Sequence, residues 1–360
     1  MSAARPPGRL QALAVRGLRG LRAHRDAALL AAAALALAAC FLPWRLTVER
    51  ARFDHVIVLD ITQSMNVPDM SAAGRPVARL AFAKQALRQA LNALPCGSRV
   101  GWGVFTEYRS LLVMAPVEVC ANLGELRTTL ANLDGRMAWI GGSEVAKGLH
   151  SGMGIVRQLP ERPSLVFVTD GHEAPPLHPR HRPRLDGTPG EVAGLIVGVG
   201  QAQPSPIPKL DARGRPLGTW GPDEVLQADP RSRGRGGSVA GEALADDAAG
   251  PAAAVGATPG TEHLSGLREP YLRLLASEDG LRFHRLGGAQ DLAAALTAPA
   301  FERQVPVALD LRELLAPAAL LLLLVRLLLR WRDARPGRRF HAAPGGVPVS
   351  GVRPGASAGG

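Results

Sequence analysis

Residues 27–44 form an uninterrupted, mostly apolar run of 18 residues, about 27 Å long as a helix and close to the hydrocarbon thickness of a bilayer. A second run, residues 314–329, is shorter, roughly 24 Å, and carries Arg326. Between them the periodicity changes character. Residues 56–60 and 165–169 are continuous stretches of β-branched and aliphatic side chains, the pattern of parallel strands buried on both faces. Leu80, Ala83, Leu87, Leu91 and Leu94 recur at helical spacing and predict a helix over residues 78–94. Residues 100–106 and 111–117 read as two strands of a hairpin turning near Tyr108 and Arg109. Leu123, Leu126, Leu130 and Leu133 mark a further helix, as do Val145, Leu149, Met153 and Val156. A strand at 194–200, a helix at 271–276, a strand at 281–286 and a helix at 291–296 complete the alternation. Strands alternating with helices imply an α/β fold, a Rossmann-like, doubly wound and mostly parallel sheet with one antiparallel edge strand. It would span residues 51–297, with membrane helices at both ends.

That alternation is interrupted between residues 201 and 261. Residues 231–260 are rich in Gly, Ala, Pro, Arg and Asp without periodicity, a composition that buries too little apolar surface to order itself. A flexible loop is expected there. Residues 204–221 include Trp220 and many turn formers, and read either as a segment packed on the domain or a partner, or as a solvated loop.

The candidate chemistry lies at strand ends. Asp60 closes the first strand, and Thr62 and Ser64 follow at spacings of two; Asp170 beside Gly171 closes the second apolar strand, and Ser143 precedes a helical pattern. Hard divalent cations such as Mg²⁺ take oxygen ligands and keep several waters, so carboxylates and hydroxyls gathered at one sheet end suit them. The order and spacing of these pieces resemble the metal-ion-dependent adhesion site of the von Willebrand factor A family. Carried over, the site is Asp60, Thr62, Ser64, Ser143 and Asp170. Thr62 stands where the family usually has Ser and Ser143 where it has Thr, each keeping its hydroxyl. The bland reading is a fold of this type in which Asp60 and Asp170 only cap turns. The resemblance implies a docking socket, not an enzyme: a partner's Asp or Glu completes the coordination of Mg²⁺ or another divalent cation. Within the family, residues 61–67, 135–144, 169–176 and 204–218 are similar to the MxaL-type accessory proteins of bacterial methanol oxidation. That similarity implies a part in maturation and calcium insertion of a periplasmic methanol dehydrogenase. The alternative is a Bat-type membrane protein working with a MoxR-like AAA+ ATPase in stress tolerance.

Other chemistries find little footing. Ser143 lacks the second glycine of a nucleophile elbow, and no phosphate-binding glycine loop occurs. His172, His178 and His181 lie in a Pro- and Arg-rich stretch that reads as a solvated loop sooner than a transition-metal site. The net charge of +11 is concentrated at the ends, where residues 1–26 and 326–360 hold 13 arginines against two aspartates. The region between holds 29 basic and 29 acidic residues, so nucleic-acid binding loses its electrostatic argument. Cys96 and Cys120 lie equidistant from Tyr108 and should face each other across the hairpin, as a disulfide in an oxidising compartment or as two buried thiols.

Arginines flank both apolar runs, which by the positive-inside rule keeps both termini, including residues 330–360, in the cytoplasm. The domain between then faces the periplasm of a bacterial inner membrane. A rival reading takes residues 37–40, ending in Cys40, as a lipid-attachment signal; the domain is exported in both cases. Reporter fusions at Asp134 and at Gly360 should report periplasm and cytoplasm respectively. A cytoplasmic signal at Asp134 overturns this topology.

Overall fold

Seven strands form one sheet in the computed structural model, which describes residues 9–42, 45–138, 141–177, 181–227, 242–246, 260–310 and 312–334. In chain order the main elements are α1 (Arg9–Ala39), β1 (Arg45–Asp60), α2 (Arg79–Ala90), β2 (Arg99–Thr106), β3 (Arg109–Glu118), α3 (Leu123–Asn132) and α4 (Val145–Gln158). There follow β4 (Ser164–Thr169), β5 (Gly194–Gly198), α5 (Glu269–Asp279), β6 (Arg282–Arg285), α6 (Ala289–Leu296), β7 (Glu302–Asp310) and α7 (Arg312–Ala334). The sheet order is β6-β5-β4-β1-β2-β3, with β7 also paired to β1. β1 runs parallel to β2 and β4, β5 runs parallel to β4 and β6, and β3 alone in that order pairs antiparallel, at the edge. The doubly wound sheet with one antiparallel edge strand is therefore present as expected.

Period-two alternation splits each central strand between two cores. Ile57, Leu59, Val166 and Val168 face a cluster shared with Leu80, Leu87, Leu126 and Leu292, under α2, α3 and α6. Val56, Val58, Leu165 and Phe167 face the other, with Leu149, Met153, Tyr271 and Leu272 from α4 and α5. A Cβ on Gly148 would lie 2.0 Å from the Phe105 ring, so glycine there lets α4 settle against β2. At the base of the β2–β3 hairpin Cys96 and Cys120 form a disulfide, with Cα atoms 5.3 Å apart.

Three details differ from the sequence reading. The helix expected over 78–94 ends at Ala90 and continues as a 3₁₀ turn, Leu91–Ala93. β7 was not anticipated; its first three residues (Glu302, Arg303, Gln304) are all polar, and it lacks the continuous apolar run of a central strand. Residues 231–260, expected to be a structureless loop, contribute a strand, Glu242–Asp246, paired antiparallel with His181–Leu185; residues 231–241 and 247–259 lie outside the described residues. The pairing joins two segments 60 positions apart, so no local pattern announces it. The side chains of His178 and His181 also lie outside the described residues.

Residues 49–306 form one compact unit, and residues 1–48 with 307–360 another. In the second unit α7 is long and apolar enough to cross a membrane from Arg312 to Asp333, and only 6% of its most apolar stretch is buried. Such exposed leucine surface finds a matching solvent in lipid. α1 packs on α7 with Ala33 and Ala319 fully buried, small residues that let helix backbones approach closely. Arg25 pairs with Asp333 at 2.7 Å and Arg330 with Asp26 at 3.4 Å. Where a helix was expected through Trp44, α1 stops at Ala39. Phe41 and Leu42 donate to carbonyls three residues back, the tighter bonding of an unwinding helix end. Residues 1–8, 43, 44 and 335–360 lie outside the described residues.

His55 ties the central strand to the end of α6. Its imidazole contacts Ser164 Oγ at 2.5 Å and the Leu296 carbonyl at 3.0 Å, with the Phe301 ring edge-on at 5.8 Å. Burial pushes its pKa down to about 4. A folded-state value below the unfolded one means that the unfolded chain takes up the proton first. Stability is thus held above about pH 6.5 and lost as pH falls toward 4, by up to about 3 kcal/mol. Denaturant midpoints taken across that window should show the acid loss, and His55→Gln should flatten it; an equal slope in the variant overturns the assignment.

Candidate functional site

β1 ends on Asp60 and β4 on Thr169, and between these two neighbours the strand order reverses: β1 leads outward to β2 on one side, β4 to β5 on the other. The carboxyl-end crevice at such a point is where open α/β sheets hold ligands. Asp60 is fully buried. Its Oδ1 accepts from the Thr62 backbone N–H at 2.9 Å and from Thr62 Oγ1 at 2.6 Å, and its Oδ2 accepts from Thr169 Oγ1 at 2.6 Å. The turn made by the Thr62 N–H brings the Thr62 and Ser64 hydroxyls to 3.3 Å from each other, just ahead of and within a 3₁₀ turn, Gln63–Asn66. The spacing of two seen in the sequence thus gathers three oxygen-bearing side chains at one strand end.

Asp170, one residue past β4, is also fully buried. Gly171 after it has φ of +79°, a left-handed conformation that glycine adopts without steric cost. The Asp170 carboxylate accepts from the His172 N–H at 2.9 Å, from Ser265 Oγ at 3.0 Å and from Arg79 Nη1 at 2.5 Å. Arg79 is itself completely buried at the first position of α2. Its Nε and Nη2 donate to Asp69, the latter at 2.6 Å, and Nη2 also donates to the Ser265 carbonyl at 2.8 Å. The two carboxylates therefore have unlike surroundings. Burial, then the charge of Asp170, pushes Asp60 up to about 7. Burial acts upward on Asp170 too, and most strongly, but the Arg79 guanidinium together with His172 and the hydrogen bond from Ser64 outweighs it and holds Asp170 below the usual carboxylate range.

Ser143 reaches the same place from the other side. Its backbone exchanges two hydrogen bonds of 2.7 Å with Ala174, and the neighbouring Glu144 N–H donates to the Glu107 carbonyl at 2.5 Å. Glu173 accepts from the Val145 and Ala146 N–H groups, both at 3.0 Å, and from Tyr271 Oη at 2.6 Å. A carboxylate at a helix N-terminus satisfies backbone donors that otherwise lack partners, so Glu173 sets where α4 begins. Burial still pushes its pKa up to about 7. Ser143 Oγ is buried and has no hydrogen-bond partner among the described residues, although buried hydroxyls are normally paired. Thr62, Ser64 and Ser143 line one cavity of about 550 Å³.

All five residues singled out from the sequence meet at this end of the sheet. Asp60, Thr62, Ser64 and Ser143 offer a carboxylate and three hydroxyls of the kind a hard cation takes, and the unpartnered Ser143 Oγ fits that use. Asp170 differs, because its oxygens already serve Arg79, Ser265 and the His172 N–H; it stands behind the hydroxyls, with Ser64 donating to it. Sequence reasoning missed Arg79, Thr169, Glu173 and Ser265. Thr169 was open to discovery, since it directly precedes Asp170 at a strand end; Arg79 and Ser265 act through contacts 91 and 95 residues away from Asp170. His172 is buried beside the cavity, and burial, helped by Arg268, pushes it down to about 3. It is no solvated loop histidine.

The sequence matches no protein-family model and no curated protein. Among solved structures the chain is similar to an aerotolerance-related membrane protein from Bacteroides fragilis, with a TM-score of 0.41 and 15% identity over 68% of this chain and 96% of that one. It is similar to a von Willebrand factor type A protein from Catenulispora acidiphila, with a TM-score of 0.29 and 17% identity over 43% and 34%. It is also similar to the manganese-loaded TRAP protein of Plasmodium vivax, with a TM-score of 0.35 and 10% identity over 74% and 81%. At these values the geometry of the site is left to carry the function.

Proposed function

We propose that this chain is a membrane-anchored von Willebrand factor A protein whose strand-end site binds a divalent cation, Mg²⁺ or a similar hard ion, and through it docks a partner's carboxylate. The observation that carries the reading is the buried, unpartnered Ser143 Oγ lining the same cavity as the Thr62 and Ser64 hydroxyls. Asp60, Thr62, Ser64 and Ser143 would hold the ion. Asp170 would orient Ser64 and supply charge at one remove, since Arg79 already neutralises most of its own. Neutral hydroxyl ligands leave a bound ion with net positive charge and room for an acidic ligand. The role is recognition, with no catalytic step.

Arginine flanks on both apolar runs support a periplasmic domain with cytoplasmic termini. The partner we favour is a periplasmic methanol dehydrogenase or another accessory protein of its maturation, with calcium insertion as the outcome. The support is the similarity of residues 61–67, 135–144, 169–176 and 204–218 to MxaL-type proteins. The Bat-type role beside a MoxR-like ATPase is separated from it by phenotype.

Asp60→Ala removes the strand-end carboxylate and its bonds to Thr62 and Thr169 while leaving the apolar side chains of both cores in place. It should abolish Mg²⁺-dependent capture of the partner from a detergent extract, and a chelator should do the same to the wild-type protein. Capture indifferent to both overturns metal-dependent docking. In a methanol-oxidising host, deletion should leave the dehydrogenase polypeptide present but calcium-poor and inactive, with partial rescue by added calcium. Full activity and metal content in the deletion strain leaves the docking reading without this partner.

A further inference from the structure

The insertion after β5 covers the site. Its short hairpin pairs Pro208–Leu210 with Pro216–Thr219, and Trp220, at the end of that hairpin, donates its indole N–H to the side-chain oxygen of Gln63. Gln63 sits between the two hydroxyl residues Thr62 and Ser64. The Trp220 N–H donates to the Ile207 carbonyl at 3.0 Å, and the Ile207 N–H to the His263 carbonyl at 3.1 Å, so both limbs of the insertion are bonded where they pass over the site. The Lys209 ammonium lies 4.5 Å from the centre of the Trp220 ring and also pairs with Glu224. Glu224 in turn accepts from the Gly221 N–H at 3.0 Å. The return limb reaches the site directly, through Ser265 Oγ on Asp170.

The cavity under this roof is lined by groups of two kinds. The Thr62, Ser64 and Ser143 hydroxyls face it, and so do the apolar side chains of Ile207, Trp220 and Leu226. At about 550 Å³ it falls within the roughly 300–1,000 Å³ of sites that take a small ligand or a short chain segment. Three of its carboxylates are already matched by cations: Glu144 by Lys147, Glu224 by Lys209 and Glu262 by Arg268. Among the described residues the lining includes no lysine or arginine, so under the proposed function the ion supplies the positive charge that an acidic ligand meets. Leu226 lines the cavity and yet remains 59% exposed, so this part of the apolar lining is open to solvent. That shape suits a chain segment that runs on past the site, and not a small molecule that ends inside it.

We propose that the roofed cavity selects its partner by sequence: the docked carboxylate belongs to an extended protein segment in which an apolar residue adjoins the acidic one and packs against Ile207, Trp220 and Leu226. This rests on the metal-docking reading above and adds to it a specificity element made by the insertion. The acidic residue alone would give attachment. Its apolar neighbour distinguishes one acidic partner from the many others in the compartment, because burying one aliphatic side chain is worth at least a tenfold change in affinity.

The test uses the full-length protein in lipid nanodiscs with two fluorescein-labelled heptapeptides, one carrying Leu-Glu-Leu and the other Gly-Glu-Gly between glycines, titrated by fluorescence polarisation with and without Mg²⁺. The leucine peptide should bind only with Mg²⁺ and at least tenfold more tightly than the glycine peptide. Leu226→Ser should bring its affinity down toward that of the glycine peptide. Leu217→Ser, exposed on the hairpin of the same insertion but outside this cavity's lining, should keep the preference and so controls for general disturbance of the insertion. Equal affinities for the two peptides in the wild-type protein overturn the specificity element and leave metal docking intact. Competition by free 4-methylpentanoate as strong as by the leucine peptide overturns the assignment to a protein segment. If neither peptide binds in Mg²⁺, the docking reading itself fails and this proposal with it.

Discussion

Two carboxylates, Asp60 and Asp170, are buried at the ends of adjacent parallel strands, and the structure around them is shaped by the cost of keeping both. Like charges in a low-dielectric interior repel strongly and lose their hydration, so the pair persists only where something positive is supplied. The chain supplies it on one side. Arg79 is drawn completely inside to reach Asp170 at 2.5 Å, and its remaining donors are absorbed by Asp69 and Ser265. A buried ion pair of this kind gains little net stability, but removing one partner leaves an uncompensated charge. The start of α2, the loop after β1 and the return limb of the insertion are therefore held together by one guanidinium. On the other side Asp60 receives only neutral donors, from Thr62 and Thr169. The asymmetry leaves Asp170 paired with a cation and Asp60 with neutral donors only.

Much of this was legible in the sequence, for physical reasons that differ by element. Residues 56–60 and 165–169 announce buried strands because a parallel strand covered on both faces cannot carry polar side chains along its length. Asp60 and Asp170 stand out because each ends such a run. The cysteines declared their proximity because the hairpin between them brings symmetric positions together, and they are joined. What was hidden depends on long-range contact. Arg79 reads as one more arginine at the start of an amphipathic helix; its role comes from partners 10, 91 and 186 positions away. Glu173 reads as part of a polar loop until α4 is seen to begin on it. The pairing of Glu242–Asp246 with His181–Leu185 joins two stretches whose composition argues for no structure at all.

The insertion shows a further limit of composition as a guide. Proline, glycine and charge dominate residues 204–221, which speaks for a solvated loop, and Trp220 was the one sign to the contrary. In the structure that indole supplies the contact, bonding Gln63 and carrying Lys209 on its face. A large aromatic with a polar edge needs both an apolar wall and a hydrogen-bond partner, and the turn after β1 offers the second. The residue between two candidate cation ligands is thus engaged by a segment some 150 positions later in the chain.

The proposed docking through an ion and the covering of its approach pull in opposite directions, and in the fold they rest in part on different bonds. Asp60 ends β1, Thr62 and Ser64 lie in the turn after it, and Ser143 lies in the loop ahead of α4, which Glu173 and Ala174 pin in place; the insertion reaches this set through Trp220 on Gln63 and through Ser265 on Asp170. The cover depends on side-chain contacts to Gln63 and on backbone bonds within the insertion itself. Change around Trp220 and Leu226 would therefore alter the lining of the cavity, while change at Ser265 would reach Asp170 itself. Under the proposed function, a strand-end socket roofed by a separate loop segment lets that loop take part in setting what is bound.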